Sequence, residues 1–100
     1  MELIINNNGE ELLAELIGRL DTAASAQFAT DMQPLVNDAS KTIVLDCSKL
    51  EFISSSGLRL FLTLRKATIA AGGKVILSGV SADVKQVFAI TGFMSLFEFK

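Results

Sequence analysis

The chain has 100 residues, half of them hydrophobic, a net charge of −2 and no histidine. Its length supports a single domain with one core. Its charge excludes a nucleic-acid binder, because counterion release needs a basic surface and no Lys/Arg cluster exceeds Arg65-Lys66.

The absence of histidine removes the usual general base and the commonest metal ligand together. No apolar stretch is long and charge-free enough to span a bilayer, so direct membrane insertion is not expected. Met1-Glu2-Leu3-Ile4-Ile5-Asn6 lacks the basic region and long apolar core of a signal peptide, and a cytoplasmic location is the expectation. The lone cysteine, Cys47, has no partner for an internal disulfide and reads as a small core residue. Asp21, Asp31, Asp46 and Asp83 each lie beside a turn or helix start, where capping explains them better than metal binding.

In chain order, residues 3–5 and 11–17 are apolar segments on either side of Asn6-Asn7-Asn8-Gly9. Asn-Gly favours a hairpin because both residues tolerate positive φ, so two antiparallel strands are expected, the second ending at Gly18. Asp21 or Thr22 then caps a first helix over residues 23–37, whose apolar face is Ala24, Phe28, Met32, Leu35 and Val36. Pro34 removes a backbone donor within that helix, which predicts a kink or a short separate last turn. Residues 42–47, Thr-Ile-Val-Leu-Asp-Cys, carry the most continuous apolar run and predict a central strand buried on both faces. Ser48 to Phe52 reads as a lead-in, with Leu50 and Phe52 pinning it to the core.

Next come Ile53-Ser54-Ser55-Ser56-Gly57-Leu58, and then a stretch to Ala71 free of proline and glycine. That stretch predicts a second helix over residues 58–71, with three hydroxyls and a glycine at its start. Amide donors there lack intrahelical partners and the dipole favours negative charge, so a serine can cap the helix or carry a phosphate with little strain. The helix has two apolar stripes, one of Leu58, Phe61, Leu62 and Ile69, the other of Leu60, Leu64, Ala67 and Ala71. Only one can face the sheet fully; the other is covered within the domain or offered to a partner.

Gly72-Gly73 ends this helix, and residues 74–77 predict a fourth strand. Ser81 caps a third helix with Asp83 in its first turn and Val84, Val87 and Phe88 on its inner face. Thr91-Gly92 closes it, and residues 96–99 predict a last strand. Helical crossovers of this length imply parallel neighbours and right-handed connections. The expected fold is α/β: a mixed sheet, with an N-terminal antiparallel hairpin and then parallel strands, and helices packed against it.

The whole chain resembles a STAS domain, the family of bacterial anti-sigma factor antagonists and sulfate-transporter tails. Gly18-Arg19-Leu20-Asp21 is similar to the family's strand-to-helix entry, usually Gly-x-Leu-Asp. Phe52-Ile53-Ser54-Ser55-Ser56-Gly57-Leu58 resembles its signature, commonly Asp-Ser-Ser/Thr-Gly-Leu after an aromatic and an aliphatic residue. Gly72-Gly73-Lys74, the segment from Ser81 to Val87, and Thr91-Gly92-Phe93 match later turns.

The resemblance implies a phosphorylatable protein-binding switch, not an enzyme and without a cofactor. Its partners would be an anti-sigma factor with serine kinase activity, bound by the unphosphorylated form, and a serine phosphatase. The acceptor position is then Ser55, Ser56 the second hydroxyl and Gly57 the glycine that lets the helix start closely. Ser54 stands where the family usually has aspartate, which makes it a rival acceptor. The family favours Leu58, Phe61 and Leu62 as core, so Leu60 and Leu64 become the partner-binding candidates. The alternative is a constitutive subunit of a membrane transport or signalling complex, with the same fold and no phosphorylation. A serine nucleophile would need an activating base, and only Lys49 lies near Ser55 in sequence.

Overall fold

A computed structural model describes all residues, Met1–Lys100. Strand β1 (Glu2–Asn7) pairs antiparallel with β2 (Glu11–Leu20). Helices α1 (Thr22–Asp31) and α2 (Gln33–Asn37) lead to β3 (Thr42–Ile53), and α3 (Ser55–Ala71) leads to β4 (Lys74–Ser78). Helix α4 (Ala82–Ile90) and a single 3-10 turn (Met94–Leu96) lead to β5 (Glu98–Phe99). The sheet order is β1-β2-β3-β4-β5, parallel from β2 onward, with β3 in the centre. This is the mixed α/β sheet that the apolar runs and turn residues predict.

The hairpin forms, but its turn works differently from the expectation. Only Gly9 takes a positive φ (+87°), while Asn7 contributes its side chain, accepting from the Gly9 N–H at 2.9 Å. Strand β2 does not stop at Gly18: glycine's tolerance of φ +103° lets the strand run on to Leu20. Strand β3 is twice as long as expected, because two irregularities in its register carry it through Ser48 and Glu51 to Ile53. Leu50 is buried as predicted, but Phe52 is only half-buried, with the Arg19 guanidinium 4.5 Å from its ring centre.

Residues alternate along β2, with Leu12, Ala14 and Leu16 buried and Leu13, Glu15 and Ile17 half-buried. One face of the sheet therefore takes the helices, and the other carries none. On the helical face the rings run in a chain: Phe28 of α1 is 6.1 Å from Phe61 of α3, which is 6.2 Å from Phe88 of α4. Phe97 and Phe99 pack edge-on against Phe88, fastening the end of the chain to the same core. Edge-to-face geometry suits the aromatic quadrupole and adds to the burial of the rings.

The long first helix divides. Met32 ends α1, and Pro34 enters the first turn of the separate short helix α2, where its missing N–H costs nothing. Leu96 lies in the 3-10 turn, so the last strand is only two residues long.

Candidate functional site

The parallel strands β2 and β3 end side by side, Leu20 against Ile53. Helix α1 leaves from the first and α3 from the second. The Ser54 N–H donates to the Leu20 carbonyl at 2.8 Å, which continues the strand pairing one residue past β3. Ser54 has an extended backbone (φ −87°, ψ 168°), and its Oγ accepts from the Gly57 N–H at 3.2 Å. The Ser54 carbonyl accepts from the Leu58 N–H at 3.0 Å, closing the first turn. Ser54 is thus the N-cap, and the helix begins three residues earlier than the apolar stretch predicts.

Ser55, the first helical residue, is exposed; Ser56 is half-buried and Gly57 buried. Glycine at position 57 answers a demand for space. A Cβ there would lie 2.7 Å from Leu20 Cγ and 3.1 Å from Ile53 Cγ1. Leu20 is fully buried and has nowhere to retreat without repacking. Its neighbour Asp21 caps α1, the carboxylate accepting from the Ala24 N–H at 2.8 Å. The end of β2 therefore holds both helix starts, one through a backbone bond and a side-chain floor, the other through the next residue.

The first turn of α3 holds no acidic residue. The positive end of its dipole lies beside exposed Ser55, with no carboxylate from the helix's own first turn to neutralise it. The chain's one pocket, about 370 Å³, lies at the opposite end of the sheet among Gly9, Glu10, Ser40, Lys41 and Thr42. No pocket opens at the serine cluster. Cys47 is buried beneath the sheet, and burial together with neighbouring Asp46 pushes its thiol up to about 12. It stays a protonated core group and no nucleophile.

Ser54, Ser55, Ser56 and Gly57 stand together as read from the sequence. The expected docking stripe does not survive. Leu64 is only 1 % exposed, inside the core with Leu58, Phe61 and Thr68, and Leu60 is half-buried against that core. Conversely Ile69, grouped with the inner stripe, is 60 % exposed. The inward face of α3 is centred between the two stripes. Thr68 completes it although polar, because its hydroxyl donates to the Arg65 carbonyl at 2.7 Å. The sequence reading also passed over the charge on this helix: Arg59, Arg65 and Lys66 with no acidic residue, a pattern visible without coordinates.

Comparison with known proteins places these features in a family. A Bordetella bronchiseptica protein named as an anti-sigma factor antagonist, BtrV, is 32% identical over 97 residues, covering 97% of this chain and 84% of that protein. The structure of the anti-sigma factor antagonist SpoIIAA in its unphosphorylated form superposes with a TM-score of 0.79 at 23% identity, over 99% of this chain and 88% of that one. The Bacillus cell fate determinant SpoIIAA in its phosphorylated form gives a TM-score of 0.73 at 24% identity, over 99% and 91% of the two chains. At such identities the two structures show the shared fold. The STAS domain pattern itself matches residues 3–100, and this chain belongs to the STAS domain family.

Proposed function

We propose that this chain is an anti-sigma factor antagonist: unphosphorylated, it binds and sequesters an anti-sigma factor that is also a serine kinase. Ser55 is the phosphate acceptor, and a serine phosphatase restores the binding form. The observation that supports this most is the placing of Ser55: exposed, first in α3, beside amide donors with no acidic residue in the turn. Two comparisons support the same reading, the name of the 32% identical relative and the solution of SpoIIAA, which shares the fold, in phosphorylated and unphosphorylated forms.

Ser54 is the weaker acceptor because its Oγ is engaged by the Gly57 N–H and is partly covered. Phosphate on Ser55 brings about −1.5 to −2 charges and three acceptor oxygens to a helix start that tolerates them. A partner surface shaped around a neutral hydroxyl has no such compensation. The loss on phosphorylation reaches roughly 3 kcal/mol, on the order of a hundredfold in affinity.

The test is the dissociation constant of the serine-kinase anti-sigma factor from the same cell for unmodified, Ser55-phosphorylated and Ser55→Asp protein, with melting temperatures beside them. Binding weakens in the order unmodified, Asp, phosphorylated, while the melting temperatures stay close. Equal affinities for all three would end the switch reading in favour of a constitutive subunit. Phosphate mapped to Ser54 in protein from its native cell would move the acceptor.

A further inference from the structure

The two edges of the sheet are finished differently. At one edge β5 has only two residues, Glu98 and Phe99, and Lys85 Nζ lies 5.3 Å from the Phe99 ring centre. Shortness and charge are devices by which an edge strand avoids pairing with another chain. At the other edge β1 has six residues, no lysine, no proline and an unbroken register with β2. Its one charge, Glu2, stands at its end. Of the four large apolar side chains left exposed in the whole molecule, two, Met1 and Ile4, lie at this edge.

The backbone of β1 can be followed group by group. The Asn8 N–H donates to the Glu11 carbonyl across the hairpin at 2.8 Å. In an antiparallel pair the bonding direction alternates, so Asn6, Ile4 and Glu2 also bond toward β2. The N–H and C=O groups of Leu3 and Ile5 therefore point away from β2, where the sheet has no further strand. Their side chains are half-buried against the core, while Ile4 lies on the face that carries no helix.

We propose that β1 pairs antiparallel with β1 of a second copy of this chain, about a two-fold axis at Ile4, joining two five-stranded sheets into one. In that register Leu3 and Ile5 of the second copy exchange backbone bonds, and the same exchange occurs on the other side of the axis. Ile4 faces its own copy as a non-hydrogen-bonded pair, the kind in which side chains approach most closely. Glu2 faces Asn6, so the carboxylate meets an amide donor and no like charges oppose. A shift of two residues either way would set Ile4 against Asn6 or Glu2 instead. The strand is thus its own complement, apolar at the centre and matched at the ends, which favours a second copy over a foreign segment. A joint of six residues is small, so the dimer is weak and depends on concentration. It is independent of the switch proposed above.

Sedimentation equilibrium of the full chain over a concentration series tests the joint. Wild type passes from monomer to dimer as concentration rises to about 1 mM. Ile4→Lys and Ile4→Glu each set like charges face to face across the axis and weaken association roughly tenfold or more. An equimolar mixture of the two variants recovers a dimer, because the facing charges are then opposite. Ile4→Thr keeps a β-branched residue, weakens association less, and guards against a charge that disturbs folding. Ile90→Lys, at the exposed end of α4, stays within about twofold of wild type. Wild type that remains monomeric to about 1 mM would overturn the pairing and leave the edge to an extended segment of another protein. A dimer that survives both charged Ile4 variants, equal weakening by Ile90→Lys, or a mixture no better than its components would each overturn it as well.

Discussion

Helices α3 and α4 start at the same end of the sheet with the same device, and they differ in everything after it. Ser54 and Ser81 are both extended N-caps, each accepting from the amide three residues on at 3.2 Å. The three residues that follow are Ser55-Ser56-Gly57 in one helix and Ala82-Asp83-Val84 in the other. In α4 an aspartate offsets the dipole and a valine, 1 % exposed, drives into the core. In α3 the first turn holds no acidic residue, and a Cβ on the third residue would collide with Leu20. The cap is thus ordinary structural chemistry. What distinguishes the start of α3 is the absence of an acidic residue in its first turn, an exposed hydroxyl at Ser55 and the close seating of Gly57.

The comparison extends into the helix bodies, where the largest effect is expected. Leu64→Glu places a carboxylate in the core of α3 and should cost about 4 kcal/mol or more, a large part of the ~5–15 kcal/mol that holds a domain of this size. Leu60→Glu, on the half-buried flank, should cost far less and keep a cooperative transition in urea. Similar losses in both would mean that the seating of α3 is wrong.

Exchanging the third residues is the next test. Gly57→Val copies α4 into α3 and overpacks the space against Leu20, costing about 3 kcal/mol, or a melting temperature lower by roughly 12–24 °C. A change of only a degree or two would show that Leu20 yields freely. The caps should behave alike: Ser54→Ala and Ser81→Ala each remove one bond and about 1 kcal/mol. A much larger loss at Ser54 would reveal a structural role beyond capping.

The smallest effect is the most specific. Ser56→Asp copies the α4 countercharge and should raise stability by about 0.3–1 kcal/mol in low salt. In the same protein it should slow phosphorylation of Ser55, because the incoming phosphate meets a carboxylate where it now meets an open dipole. An unchanged rate, measured with the purified kinase, would separate the dipole from the chemistry. Ser54→Asp, which restores the residue usual in the family, should keep the cap while altering the rate.

What could be read from the sequence follows the reach of each signal. The hairpin, the central strand, the break at Pro34 and the caps Asp21 and Ser81 rest on neighbours in the chain, and each appears where those neighbours place it. The serine cluster was legible for the same reason. The continuation of β3 past Cys47 was not, because two extra residues against β2 break the alternation that marks a strand. The inward face of α3 was hidden twice over. Its apolar residues surround the helix, so periodicity selects no single side, and buried Thr68 satisfies its hydroxyl within the helix. Leu20 as the floor beneath Gly57 is a contact between residues 37 positions apart, beyond the reach of any local pattern.

That floor has a mechanical consequence. The last residue of β2 is pinned from above by Gly57, bonded sideways to Ser54 and joined covalently to the cap of α1. The first turn of α3 has no slack in which to tilt or slide without dragging a second helix and two strand ends along with it. A charge added at Ser55 therefore lands on a rigid mount. On the proposed reading, the domain delivers its message as a change of sign on an unmoved surface, and the adjustment falls to the molecule that reads it.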